Sequence, residues 1–196
     1  RETIAERIRN NMLQLARTGR WLGGITPTGF KSEPLIYYDK ELNKRKMYIL
    51  SPINEELETV KKLFNKYLEL GSLSKLQTYC LKFNLKSKNN KNYKKSTLKN
   101  ILNNPVYAVA DESLYEYLLE NNMDIANDKV DFDGTHGVLI YNKNIESIGK
   151  SNRQRDKKEW IVAVSNHKGI IPSKEWIQVQ RLLERNKSKA PRKGTS

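Results

Sequence analysis

The sequence predicts a helix-dominated α+β domain containing a helix–turn–helix-like unit and small antiparallel strands. Three observations carry this. Apolar residues repeat at helical spacing across four long segments. Short β-branched and aromatic runs sit between turn-forming residues. Leu70–Tyr107 reads as the end of one helix, a Gly-Ser turn, a second helix, a lysine-rich loop and a short helix closed by Asn-Pro.

Ile4, Ile8, Met12 and Leu15 form one stripe of a helix over residues 2–18, which Gly19 stops. A Gly- and Pro-rich linker follows, GRWLGGITPTGF. Leu35–Tyr38 and Lys46–Leu50 read as the arms of a hairpin around polar Asp39–Arg45. Ser51–Glu56 opens a helix that carries Leu57, Val60, Leu63, Phe64, Tyr67 and Leu68 on its inner face. Leu73, Leu76, Cys80 and Phe83 give the next helix its buried face. Ser96 is the expected N-cap of the third, with Leu98, Ile101 and Leu102 inward and Pro105 as the stop.

Beyond Tyr107 the character changes. Asp111, Glu112, Glu116, Glu120, Asp124, Asp128, Asp131 and Asp133 form an acidic block interrupted by Lys129. Leu114, Tyr117, Leu118 and Met123 suggest a helix within it. Gly137–Tyr141 and Glu159–Val164 read as strands flanking a basic loop, Lys150–Lys158. A last helix from Ser173 buries Trp176, Val179, Leu182 and Leu183.

Composition narrows the function. The 196 residues carry a formal charge of +14, with 37% hydrophobic residues, three Trp and ten Tyr. That is enough apolar material for a folded core, and the charge favours polyanionic partners. No apolar run approaches the ~18 residues of a membrane-spanning helix, so no membrane association is expected. The N-terminus lacks the apolar stretch of a signal peptide. One cysteine, Cys80, excludes an internal disulfide, and His136 and His167 lack zinc-ligand spacing. No metal, cofactor or catalytic constellation is expected, and the location expected is intracellular. The chain also reads as a piece of something larger, beginning inside a helical pattern and ending in a basic, linker-like stretch.

The strongest functional signal lies between Lys82 and Asn104. Lys82, Lys86, Lys88, Lys91, Lys94, Lys95 and Lys99 alternate with Asn, Ser, Thr and Tyr, and no acid interrupts them. Lysines neutralise phosphates, while Asn, Ser, Thr and Tyr bond to phosphates or base edges. Ordinary surfaces mix their charges, so a solvated lysine-rich face explains the run less well. The candidate DNA-contacting residues here are Lys88, Lys91, Tyr93, Lys94, Lys95, Ser96, Thr97, Lys99, Asn100 and Asn103. Gly23 and Gly24 fit either a plain hinge or a flexible arm along a groove, anchored by Arg17, Arg20 and Lys31. No strand and no Gly-Lys-Ser/Thr accompanies them, which excludes a nucleotide loop. The acidic block fits no calcium loop. It either keeps one side of the domain away from DNA or bonds to a basic neighbour. Cys80, Trp160, Trp176, His136 and His167 read as structural.

These segments resemble a known family. The order is ARTGRW ending a helix, GGITPTGF, a hairpin, ELETVKKLFNKYLELGSL, STLKNILNNPVYA, and EWIVAVSNHKGIIPSKEWIQVQRLLERNKSK. It is similar to the recombinase domain of large serine recombinases, the group of phage integrases and clostridial transposon resolvases. Ser96–Tyr107 and His167–Leu183 are the most specific segments, and Asp111–Tyr141 resembles the transposon-resolvase branch. The resemblance implies that residues 1–18 are the distal part of a long helix leaving an absent catalytic domain. It makes 19–31 the groove-tracking linker, 32–187 the DNA-binding domain with Lys94–Asn103 facing DNA, and 188–196 a linker toward an absent zinc ribbon. It further implies a double-stranded half-site as partner and a bacterial cytoplasmic location at the nucleoid. The fragment is expected to be monomeric, within a parent that works as a dimer or tetramer. The nucleophilic serine would lie outside this chain, so the fragment itself is not expected to be an enzyme. Two rivals remain: an autonomous helix–turn–helix regulator, which must dimerise, and an RNA-binding module, which would need recognition signatures this chain lacks.

Overall fold

The computed structural model describes residues 2–141, 143–145 and 153–189. Helix α1 (Ile4–Arg17) opens on a capping box, in which the Thr3 hydroxyl accepts from Glu6 N and the Glu6 carboxylate accepts from Thr3 N. Only its C-terminal end packs: Ala16 is buried and Met12 and Leu13 lean on the core, whereas Ile4 and Ile8 are 77% and 55% exposed. Gly19, at φ +69°, ends it where only a residue tolerating the left-handed region fits easily.

Strands β1 (Phe30–Tyr38) and β2 (Lys44–Pro52) form an antiparallel hairpin, paired from Phe30↔Pro52 to Tyr38↔Lys44. It is longer than its apolar runs predict. Phe30 and Lys31, expected in the linker, are strand residues, and Ser51 and Pro52, expected to open a helix, pair opposite them. The close approach at the hairpin base explains this. Ile53 N donates to Gly29 O at 2.7 Å, and a Cβ on Gly29 would stand 2.3 Å from Leu57 Cδ2.

Helix α2 (Asn54–Leu70) therefore starts later than expected, and it buries Leu57, Val60, Leu63, Phe64 and Tyr67. Gly71, left-handed at φ +79°, closes it, and Ser72 then caps α3 (Leu73–Lys82) by accepting from Lys75 N at 3.1 Å. Leu76 and Cys80 are buried, but Phe83 is 57% exposed, against expectation. The helix ends at Phe83 and Asn84 turns left-handed, so the ring lies over Tyr79 on the surface.

Helix α4 (Lys95–Asn103) buries Leu98, Ile101 and Leu102 as predicted. Ser96 does not cap it. Lys94 holds that position, with no side-chain hydrogen bond, and Ser96 lies inside the first turn. A 3₁₀ turn at Pro105–Tyr107 leads to α5 (Glu112–Glu120), capped by Asp111. Then come β3 (Asp124–Ile125), β4 (His136–Tyr141), β5 (Asn144–Ile145), β6 (Arg153–Gln154), β7 (Ile161–Lys168) and α6 (Ser173–Lys189). In the central sheet β7 lies between β3 and β4, parallel to the first and antiparallel to the second. The strand expected from Glu159 starts at Ile161 because Lys157–Glu159 form a turn capped by Asp156. Part of the basic loop, residues 150–152, lies outside the described residues. The predicted α+β class, dominated by helices, is borne out.

The sheet and helices share one core, and His167 on β7 sits where they meet. It is 4% exposed, its ring edge-on to Phe30 at 4.9 Å. Nε2 lies 2.8 Å from Val106 O, an acceptor, so Nε2 carries the proton, and Nδ1 has no partner. Burial holds the imidazole pKa down at about 4, from 6.5. Between those values the unfolded chain binds a proton that the folded chain refuses. Stability is thus fully present above pH ~6.5 and falls by about 3 kcal/mol as pH drops to ~4. Urea unfolding of His167→Gln should show that segment of the pH curve flattened. An unchanged curve would assign the acid sensitivity to other groups.

Candidate nucleic-acid interface

Helix α4 is fixed from behind by α6. The Trp176 indole donates to Asn104 O at 3.1 Å, and Gln180 Nε2 donates to Leu102 O at 2.7 Å. These two side chains satisfy carbonyls that a helix C-terminus leaves open. Ser173 donates to Asp111 at 2.7 Å, tying the starts of α6 and α5 together. With Leu98, Ile101 and Leu102 inward, the opposite face of α4 is aimed outward. Lys95, Ser96, Lys99 and Asn100 are exposed, and Thr97 and Asn103 half-buried.

The N-terminus of α4 is chemically unusual. Like α2, and unlike α1, α3 and α5, α4 has no side-chain cap. Its first turn holds no acid, and Lys91, Lys94 and Lys95 crowd the end where the helix dipole is already positive. That placement is unfavourable for an isolated helix. It becomes favourable when an anion occupies the free N–H groups.

Beside α4 runs a groove of about 330 Å³. Ser96, Lys99, Asn100 and Asn103 line one wall. Gln180, Leu183, Glu184 and Lys187 of α6 line another, and Gln154 and Lys157 close it. Four predicted residues are thus brought together with Gln154, Lys157 and Lys187, which sequence reasoning did not nominate. Gln154 and Lys157 lay in the noted basic loop and Lys187 at the start of the basic C-terminal stretch; none carried a signal of its own.

The remaining candidates are placed differently. Tyr93 is 3% exposed and forms part of the core; burial pushes its phenol pKa up to about 12. It cannot stack on a base, and this corrects the expectation drawn from its lysine-rich neighbourhood. Lys91 is exposed, and Lys88 donates to Thr26 O at 2.7 Å, bringing the loop against the linker. The linker itself is clamped. Trp21 N donates to Tyr48 O at 2.7 Å, the Tyr141 hydroxyl to Arg20 O at 2.5 Å, and the Tyr107 hydroxyl to Thr28 O at 2.6 Å. Between the clamps Leu22–Ile25 is exposed. Gly23 and Gly24 have φ +104° and +86°, with open space where a Cβ would be. Arg17 Nε donates to Ala126 O, Arg20 reaches Tyr37, and Lys31 pairs with Glu33 at 3.2 Å. None of these three lines the α4 groove.

The acidic block is answered mainly by local cations. Lys129 pairs with Glu112 at 2.9 Å and lies 3.8 Å from Glu116; Arg9 pairs with Asp124. Asp133 contacts His136, and backbone N–H groups of His136 and Thr135 hold its pKa down at about 2. Among the described residues no cluster of His, Cys, Asp or Glu could hold a metal ion, and no helix is long and apolar enough to cross a membrane.

The fold is thus a basic α+β domain that turns an uncapped, lysine-flanked helix outward. The sequence matches the Recombinase family over residues 54–186, well over half the chain, and the chain belongs to that family. The recombinase resemblance is thereby borne out. No curated protein matches the sequence. Among solved structures, it is similar to a chain from "Crystal Structure of a LSR-DNA Complex", with 14% identity and a TM-score of 0.48. That match covers 94% of this chain and 39% of the other, so this chain spans about two fifths of its length.

Proposed function

We propose that this chain is the DNA-binding recombinase domain of a large serine recombinase and that α4 reads one half of a recombination site. The observation that carries the reading is the lysine-crowded, uncapped N-terminus of α4. Successive DNA phosphates there would accept from the free N–H groups of the first turn and from Lys91, Lys94 and Lys95. An α-helix of ~10–12 Å diameter fits a major groove ~12 Å wide. Asn100 and Asn103 then meet base edges, while Lys99, Gln154, Lys157 and Lys187 flank the backbone. The exposed Gly23–Gly24 turn would then follow an adjacent groove. In this reading the strand-cleaving serine is not one of this chain's own, and assembly into dimers and tetramers is a property of the parent.

Duplex binding should be strongly salt-dependent. With ~5–8 phosphates neutralised, log K should fall against log salt with a slope of about −4.5 to −7. On duplexes from the ends of the encoding mobile element, a ratio near ~10² over scrambled duplexes is expected at ~150 mM salt. An affinity indifferent to salt would remove the electrostatic basis of the reading.

A further inference from the structure

A second cavity, of about 600 Å³, lies between the linker and the ends of β4 and β6. Trp21, Tyr141, Lys143 and Arg155 supply its polar wall, and Gly23 and Gly24 line it without side chains. The α4 contact described above uses none of Trp21, Lys143 or Arg155.

Among the described residues, the buried polar groups left unanswered here are donors. Trp21 Nε1 and Arg155 Nε are both shut off from solvent with no hydrogen-bond partner. The Tyr141 hydroxyl is already spent on Arg20 O. Lys143 and Lys157 crowd the same ring, their ammonium groups 5.4 and 6.0 Å from the Trp160 centroid. Among the described residues neither lysine has a carboxylate within ion-pair distance, and Arg155 meets Glu159 only at 4.0 Å. Burial, with Lys157 beside it, pulls the Lys143 pKa down. Holding cations and bare N–H donors together in a partly dry site is costly unless one anion answers them all.

We propose that this cavity is a phosphate-binding site, with Arg155, Lys143 and the Trp21 indole N–H as its donors. The volume admits a phosphodiester with its sugar, and the bare Gly23–Gly24 backbone permits that close approach. The group assigned to it is a phosphodiester of the bound duplex. The inference therefore rests on the DNA-binding reading and adds a second anchoring point, at the linker.

The test uses K143Q, R155Q and the double variant in the full 196-residue chain. Because the site holds one phosphate, the double change should lower the salt slope by about 0.9 and each single change by part of that, with roughly fivefold lost at ~150 mM salt when the site is gone. K143Q removes a desolvated charge beside Lys157, so it should fold at least as well as the parent chain; it carries the test if R155Q does not fold. In parallel, inorganic phosphate is titrated against melting temperature. A rise in the parent chain that the double variant loses, with an unchanged DNA slope, would support the phosphate site with a free phosphate as its occupant. Unchanged slopes and no phosphate effect would overturn the proposal. The K94Q/K95Q/K99Q variant separates the two ideas. If it loses DNA while the cavity variants do not, only this inference falls; if none loses DNA, the DNA-binding reading itself falls.

Discussion

Replacing Lys94, Lys95 and Lys99 together by glutamine is expected to weaken duplex binding about 10²-fold at ~150 mM salt and to lower the salt slope by about 2.7. The arithmetic follows from counterion release. Each neutralised phosphate contributes a factor of about five at that salt, and three such factors multiply to about 10². Because phosphates carry no sequence, specific and scrambled duplexes should lose affinity alike. The folded state should not suffer. Lys94 and Lys95 stand at the positive end of α4 with no acid in its first turn, so neutralising them relieves a repulsion between charge and dipole. A melting temperature that holds or rises while DNA affinity collapses would separate lost contact from lost fold. Unchanged binding in a gel-shift titration would place the DNA face elsewhere.

How much of this was legible in the sequence depended on whether the signal was local. Leu57–Tyr67 and the Leu98, Ile101, Leu102 triplet repeat at helical spacing because one face of each helix meets the core, and those faces were read correctly. The acid-free lysine run around α4 is legible in the same way, since charge imbalance survives without knowledge of packing. Errors gathered where tertiary contact overrides a local preference. Ser96 is a better cap than Lys94 by propensity, yet the chain enters α4 two residues earlier. Tyr93 sits among lysines in sequence but points into the core, because a loop residue's direction is set by what it crosses. The hairpin outgrew its apolar runs because its length is fixed by backbone pairing at Gly29 and Ile53, which leaves no hydrophobic pattern. The α4 groove was the least legible feature. Gln154, Lys157 and Lys187 arrive from segments more than fifty residues away, and only the fold makes them neighbours of Lys99.

Trp176→Ala is expected to produce the largest loss of stability, about 3–5 kcal/mol from the truncated side chain alone. In a chain of this size that corresponds to a melting temperature roughly 10–15 °C lower. The side chain is 2% exposed and meets the Tyr117 ring edge-on at 5.6 Å. Its removal also strips Asn104 O of its donor at the end of α4. Trp176→Phe separates those roles. It keeps most of the packing and loses only the hydrogen bond, so stability should fall by about 1–2 kcal/mol. The lysine-rich N-terminus of α4 is untouched by that change, and the salt slope should therefore match the parent chain. What should fall is the ratio of specific to scrambled binding, because Asn100 and Asn103 lie on the end of the helix that Trp176 pins. An alanine variant melting within ~3 °C of the parent chain would show that α6 does not hold α4. A phenylalanine variant with full specificity would show that base reading does not depend on that clamp.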